Sequence, residues 1–232
     1  MRVLIGTSGY SYPAWKGHFY PQDLPAKKFL GFYASRFSTV EINNTFYKMP
    51  SAKLVQTWAD GVPDDFTFAI KAPQRITHQK RLKECDEPLK WLFDAIELLA
   101  GKQGPILFQL PPNFKKDVPR LQAFLAAMPK RCRAAFEFRH ESWLADDTYE
   151  ALRAAGAALC IADTEASSTP LVATAKWGYL RLRREDYVES DIRKWGNRIS
   201  AQPWKNAFVY FKHEDEGKGP AYASLLMSLL RI

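Results

Sequence analysis

Cysteine is scarce: Cys85, Cys132 and Cys160 are odd in number, far apart and without a CxxC spacing, which excludes a disulfide framework and a thiolate metal site. They read as reduced thiols, with Cys160 packed in a strand. No run of about 18 apolar residues occurs, so no membrane-spanning helix and no membrane partner are expected. The opening MRVLIGTSGY holds too short an apolar segment for a secretory leader, and the cytoplasm is the expected compartment. Internal repeats, low-complexity tracts and linker-like stretches are also missing, which predicts a single domain over residues 1–232. GTSGYS after the first apolar run is not the GxGxxG of a dinucleotide-binding turn, and the histidines form no HxH or HExxH pair. Cofactor and metal therefore stay unassigned, and nothing in the sequence addresses oligomeric state.

What is present is the composition of a globular protein, 47% hydrophobic and 14% aromatic. Lys and Arg exceed Asp and Glu by 33 to 25, giving a net charge of +8 and an isoelectric point near 9.3. That balance favours anionic partners, phosphate esters or nucleic acid.

Strand patterns fall at Val3–Ile5, Thr39–Asn43, Phe66–Lys71, Ile106–Leu110, Ala134–Arg139, Ala158–Ala162, Tyr179–Arg183 and Phe208–Lys212. Helical patterns separate them at Ala26–Phe37, Ser51–Asp60, Glu87–Gly101, Val118–Met128, Asp146–Ala155 and Ser190–Ser200, with a last one at Ala221–Leu230. The stretch EASSTPLVATA carries no helical pattern. Eight strands alternating with helices predict an α/β fold, a TIM-type (β/α)8 barrel with an irregular or missing helix after strand six. A doubly wound open sheet is the structural alternative, but it ordinarily carries the Gly-rich turn that is absent here.

The stretch AFEFRHESW organises the rest. Phe136 and Phe138 alternate with Glu137 and Arg139, so one strand face is aromatic and the other charged. In a parallel sheet covered on both sides, charge on one face belongs inside the barrel, near the carboxyl end where such folds place their ligands. The other strands also end in polar residues: Thr7, Glu41 and Asn43, Lys71, Gln109, Asp163, Arg181 and Arg183, and Lys212. Convergence of these ends on one mouth is the main functional signal. The structural alternative is internal ion pairing, Glu137 with Arg139 and Glu41 with Lys71. His18, His78, His140 and His213 follow strands one, three, five and eight. With Glu41, Glu137 and Asp163 they are candidate ligands for a divalent metal, or alternatively hydrogen-bonding and proton-transfer groups. Tyr10, Tyr12, Trp15, Phe46, Tyr47 and Trp143 offer flat surfaces for a base or sugar, or else pack loops onto the barrel.

Taken in order, GTSGYSYPAWKGHFYP, EINNTFYKMP, FAIKAPQRITH, FQLPPNF and FEFRHESW resemble the DUF72 (YecE-like) family, cytoplasmic proteins with a β/α barrel and no settled biochemical function. The resemblance implies that Glu41, Asn43, Thr45, Phe46, Tyr47, Lys71, Pro73, His78, Gln109, Glu137, Arg139, His140 and Trp143 are motif positions. The chain departs from the family at strand eight, reading YFKHEDEGKGPAYA where an Asn-rich end is usual.

The residues predict an enzyme, a hydrolase or an isomerase or lyase, acting on a small anionic substrate that is phosphorylated or carbohydrate-like. Glu41 or Glu137 would serve as general base or acid, Lys71 and Arg139 as electrostatic stabilisers, and His140 or His78 as proton carrier. Thr7, Asn43, Tyr47, His78, Gln109, Trp143, Asp163, Arg181, Arg183 and Lys212 are the candidate ligand-binding residues. A nucleic-acid-binding or nucleic-acid-processing protein is the first alternative, and a non-catalytic ligand-binding protein the second.

Overall fold

The short β-branched and aromatic runs pair as parallel strands. In a computed structural model that describes residues 1–212 and 216–232, they form β1 (Arg2–Thr7), β2 (Thr39–Ile42), β3 (Thr67–Lys71), β4 (Gln103–Gln109), β5 (Ala134–Glu137), β6 (Ala158–Asp163), β7 (Trp177–Leu182) and β8 (Asn206–Phe211). The sheet order is β1-β8-β7-β6-β5-β4-β3-β2, a nearly closed (β/α)8 barrel of the TIM type. Its helices are α1 (Phe29–Ala34), α2 (Ala52–Asp60), α3 (Asp86–Ile96), α4 (Val118–Ala127), α5 (Asp146–Ala155), α6 (Glu189–Ser200) and α7 (Lys218–Leu230). Residues 164–176, between β6 and β7, hold no helix, in agreement with the irregular composition of that stretch. Among the described residues, no helix is long and apolar enough to cross a membrane.

Local signals set some helix ends. The Ser51 hydroxyl accepts from Leu54 N at 3.3 Å and starts α2, and Gly156, left-handed at φ 65°, stops α5. Two helices are shorter than their patterns predict. Ala26–Lys28 is a 3-10 turn leading into α1. After α3 the chain tightens into 3-10 turns within Glu97–Lys102, broken at Ala100 (φ 47°), which deliver the Lys102 ammonium onto the carbonyls of Ala59 and Val62 at 2.7 and 2.9 Å, capping the end of α2.

The barrel closes at the β1–β2 seam by an indirect route. A parallel bridge joins Ser8 to Glu41, with Gly9 N donating to the Glu41 carbonyl at 2.8 Å. Below it, the Tyr33 hydroxyl of α1 enters the ladder: Thr7 N donates to it at 2.8 Å, and it donates to the Thr39 carbonyl at 3.0 Å. Gly6 makes this approach feasible, since a Cβ there would collide with the Thr39 carbonyl.

Two apolar layers result. Leu4, Ala69, Leu107, Ala135, Ala158, Cys160, Tyr179, Phe208 and Tyr210 fill the barrel interior, small residues on one side opposing aromatics on the other. The outward-facing positions, among them Ile5, Val40, Phe68, Phe108, Phe136 and Val209, pack against the helices. On the inner face two residues beyond Ala69, Leu107, Ala135 and Tyr179, polar side chains begin: Lys71, Gln109, Glu137 and Arg181.

Candidate functional site at the carboxyl end of the barrel

β5 has the parity its sequence predicts. Phe136 stacks outside the barrel on Phe108 at 5.3 Å between centroids, and Glu137 turns inward with 3% of its side chain exposed. A buried carboxylate needs compensating partners. Glu137 Oε2 accepts from Arg181 Nη1 at 2.6 Å, while Oε1 accepts from Gln109 Nε2 at 2.8 Å and Arg139 Nε at 3.1 Å. Arg183 Nη1 lies 3.8 Å from the same oxygen. Burial opposes this ionisation, but the guanidiniums of Arg181, Arg139 and Arg183 and the Gln109 amide outweigh it and hold the carboxyl far below its usual range.

Glu41, at the end of β2, is the second buried carboxylate, with no exposed side-chain surface. Its Oε1 accepts from Arg181 Nη2 at 2.9 Å and Nε at 3.2 Å, and also from the Ser8 hydroxyl. Its Oε2 accepts from the Tyr179 hydroxyl at 2.6 Å. Against burial, Arg181 and these hydrogen bonds lower its pKa. Asn43 completes the arrangement, donating to Ser8 Oγ at 2.8 Å and accepting from Arg181 Nη2 at 3.4 Å. Arg181, itself 3% exposed, is thus clamped between two carboxylates from opposite sides of the barrel.

Above this buried layer lies a cavity of about 760 Å³ lined by the cations Arg139, Arg183 and Lys212, by His140 and Thr169, and by the carboxylates Glu137, Glu141, Glu165 and Glu185. Arg139 keeps 37% of its side chain exposed and Arg183 20%. Arg183 Nε is buried without a hydrogen-bond partner among the described residues. Burial and the neighbouring Arg181 lower the Arg183 pKa, as packing cation beside cation requires. Lys71 reaches the mouth from β3, its ammonium 4.1 Å from the centroid of the Phe46 ring. His78 meets the edge of that ring at 4.9 Å, and burial together with Lys71 lowers its pKa. Four cations, Lys71, Arg139, Arg181 and Arg183, therefore surround two carboxylates.

Glu41, Asn43, Lys71, Gln109, Glu137, Arg139, His140, Arg181, Arg183 and Lys212 come together here at the carboxyl end. Thr7 does not: its hydroxyl donates to the Gly9 carbonyl at 2.6 Å on the seam side of β1, and the next residue, Ser8, is the one that faces inward. Asp163 also has the opposite parity from its prediction. It lies outside the barrel, accepting from Tyr187 OH at 2.9 Å and Trp195 Nε1 at 3.1 Å beneath α6. Trp143 is fully buried, stacked on Phe138 at 4.8 Å and donating to the Phe114 carbonyl at 2.7 Å, so it braces the loop after β5 and offers no free face. Tyr47 is the reverse case, 77% exposed. Trp15 is buried beside Tyr12 and Tyr20. His18 lies in a groove with Phe32 and Met227, away from the cavity-lining set, and His213 falls outside the described residues. Among the described residues, no three His, Cys, Asp or Glu side chains gather as a metal site. Ser8 and Tyr179 are not among the residues the sequence singles out, although each shares the inward parity of a residue two positions away, Gly6 and Arg181.

Known proteins resemble this chain throughout. It is 31% identical to the UPF0759 protein YecE of Escherichia coli K12 over 144 residues, 62% of this chain and 50% of that protein. It is 30% identical to the UPF0759 protein YunF of Bacillus subtilis over 158 residues, 64% of this chain and 54% of that protein. The chain spans about half the length of these curated relatives. The crystal structure of a DUF72 family protein from Thermotoga maritima superposes with a TM-score of 0.86 at 28% identity, covering 100% of both chains. One from Enterococcus faecalis, at 18% identity, shares the fold with a TM-score of 0.82, covering 99% of this chain and 96% of that one. The family model described as "Protein of unknown function DUF72" matches residues 4–232, and the chain belongs to that family.

Proposed function

We propose that the chain is an enzyme that binds a small anionic substrate, phosphorylated or carbohydrate-like, at the carboxyl mouth of its barrel. One observation carries this reading: both buried carboxylates are already committed to Arg181, while Lys71, Arg139 and Arg183 add positive charge at the rim. Guanidinium forks suit phosphate and carboxylate oxygens, and the partnerless Nε of Arg183 is an unfilled donor. In this reading Arg139 and Arg183 seat the anion, and Glu137 orients both. Glu41 and Glu137, held ionised, cannot supply a proton near neutral pH. Proton transfer then falls to His140 at the cavity wall or His78 beside Lys71.

Calorimetric titration with inorganic phosphate, sugar phosphates and the matching neutral sugars tests the reading. Phosphates are expected to bind and the neutral sugars to bind at least about tenfold more weakly, the loss of one charged hydrogen bond. Equal binding of neutral and phosphorylated sugars would remove the anion site. Oligonucleotide binding that weakens by orders of magnitude between roughly 50 and 200 mM salt would favour a nucleic-acid partner instead.

A further inference from the structure

One cation at the mouth is placed differently from the guanidiniums. Lys71 ends β3, and its carbonyl is tied by the Thr45 hydroxyl at 2.7 Å, which fixes the base of the side chain. The ammonium sits on the Phe46 ring and has neither a hydrogen bond nor an ion pair with another described residue. The charged groups that act on it are Arg181 from β7, Glu41 from β2, Glu137 from β5 and Arg139 just beyond it, with His78 nearby on the turn after β3. Both carboxylates are engaged by guanidiniums at 2.6–3.2 Å and have little left for a lysine. Burial first, and then Arg181, push the Lys71 amine down to about 8, against 10.5 for an ordinary lysine. A lysine partly desolvated among other cations is a nucleophile at neutral pH.

We infer that Lys71 forms an imine with the aldehyde or ketone of a small anionic carbonyl compound whose phosphate or carboxylate rests on Arg139 and Arg183. This rests on the anion-binding reading of the same mouth. In the step, the free amine nitrogen adds to the carbonyl carbon, a C–N bond forms, and the carbonyl π pair moves to oxygen. The resulting carbinolamine is protonated on oxygen and expels water, so ammonium and carbonyl become a protonated imine and one water. No oxidant or reductant takes part. His78, kept neutral by burial and by Lys71, is a proton carrier beside the reacting nitrogen. The iminium then draws electrons from the adjacent carbon, the chemistry of carbon–carbon lyases and of isomerases that work through an enamine.

Reductive trapping tests this on the full chain. Limiting formaldehyde with cyanoborohydride probes the amine alone, and pyridoxal 5′-phosphate with cyanoborohydride probes amine and anion together, each read by peptide mass mapping at neutral pH. Lys71 is expected to be modified at least about tenfold faster than the exposed lysines, because more of it is free amine. Inorganic phosphate is expected to slow the pyridoxal phosphate reaction at Lys71 and leave the formaldehyde reaction unchanged. Lys71→Arg, which keeps the charge, should lose the preferred adduct with an unchanged melting temperature. Modification of Lys71 no faster than the surface lysines by either reagent overturns the nucleophile, even if phosphate still binds in the calorimeter. A preferred formaldehyde adduct that phosphate leaves alone, together with a pyridoxal phosphate adduct that it does not slow, keeps the nucleophile and overturns the anionic half of the inference.

Discussion

The barrel holds arginine in two settings a few ångströms apart. Arg181 is buried, and all three of its nitrogens donate to carboxylates, with Nη2 also reaching Ser8 and Asn43. Arg139 and Arg183 share what remains of one carboxylate, Glu137, and open onto the cavity. The residue type is the same, and the difference lies in donors left over. A guanidinium with every nitrogen engaged by buried carboxylates holds strands together, whereas one with donors to spare can accept an anion from solution. The comparison predicts that variants of the buried layer act on stability and those of the rim on binding.

The largest effect is expected from Arg181→Met. It leaves Glu41 and Glu137 buried with their main counter-charge removed and should cost about 3–5 kcal/mol in urea denaturation. A cost under about 1 kcal/mol would erase the distinction between the layers.

Glu137→Gln comes next. Its folded pKa lies below the ordinary 4.5, so its contribution is present above that pH and fades as pH falls beneath it. The native protein should lose stability steeply in acid. The variant should start lower at pH 7 and lose less, because Gln does not titrate. Parallel acid-unfolding curves for the two would show that the carboxylate is not stabilised by its arginines.

At the rim the balance reverses. Arg183→Met removes a cation crowded by Arg181 and short of partners, so stability should change by less than about 1 kcal/mol. Phosphate affinity should fall about tenfold. A variant that melts far lower while binding phosphate normally would move Arg183 into the scaffold.

The smallest effect concerns Lys71. An amine pushed down to about 8 in the folded chain and near 10.5 in the unfolded one makes its own contribution to stability rise with pH between those values. Lys71→Met should remove that contribution, so that native stability gains on the variant's as pH rises through the window, and the variant should be slightly more stable than the native chain at pH 7. Glu41, Glu137, Arg139, Arg181 and His78 face Lys71, and Glu41, Glu137 and His78, all held below their ordinary values, do not titrate in that window. The thiols of Cys85, Cys132 and Cys160, raised by burial, make stability fall with pH in the same range, so the measurement is the native-minus-variant difference, and a difference that stays flat there would show an ordinary lysine.

The strand count, the missing helix after β6 and the inward turn of Glu137 were determined by the sequence alone. Period-two alternation in AFEF leaves the charged residues one face to share, and charge cannot lie against the apolar sides of helices without a large cost. The family motifs were likewise legible, because they are local strings. Parity at Thr7 and Asp163 was not: runs such as VLIGT and ALCIAD are apolar on both faces, so alternation carries no signal there. Only the tertiary structure decided which charges pair. The neighbour pair Glu137 and Arg139 does form, at 3.1 Å. Glu41, though, is met by Arg181 at 2.9 Å, 140 positions along the chain, and not by Lys71 of the adjacent strand. Barrel closure brings β2, β5 and β7 to a common axis, and on that axis the guanidinium, with five donors in a rigid plane, reaches both carboxylates at once where a lysine's compact head would reach one.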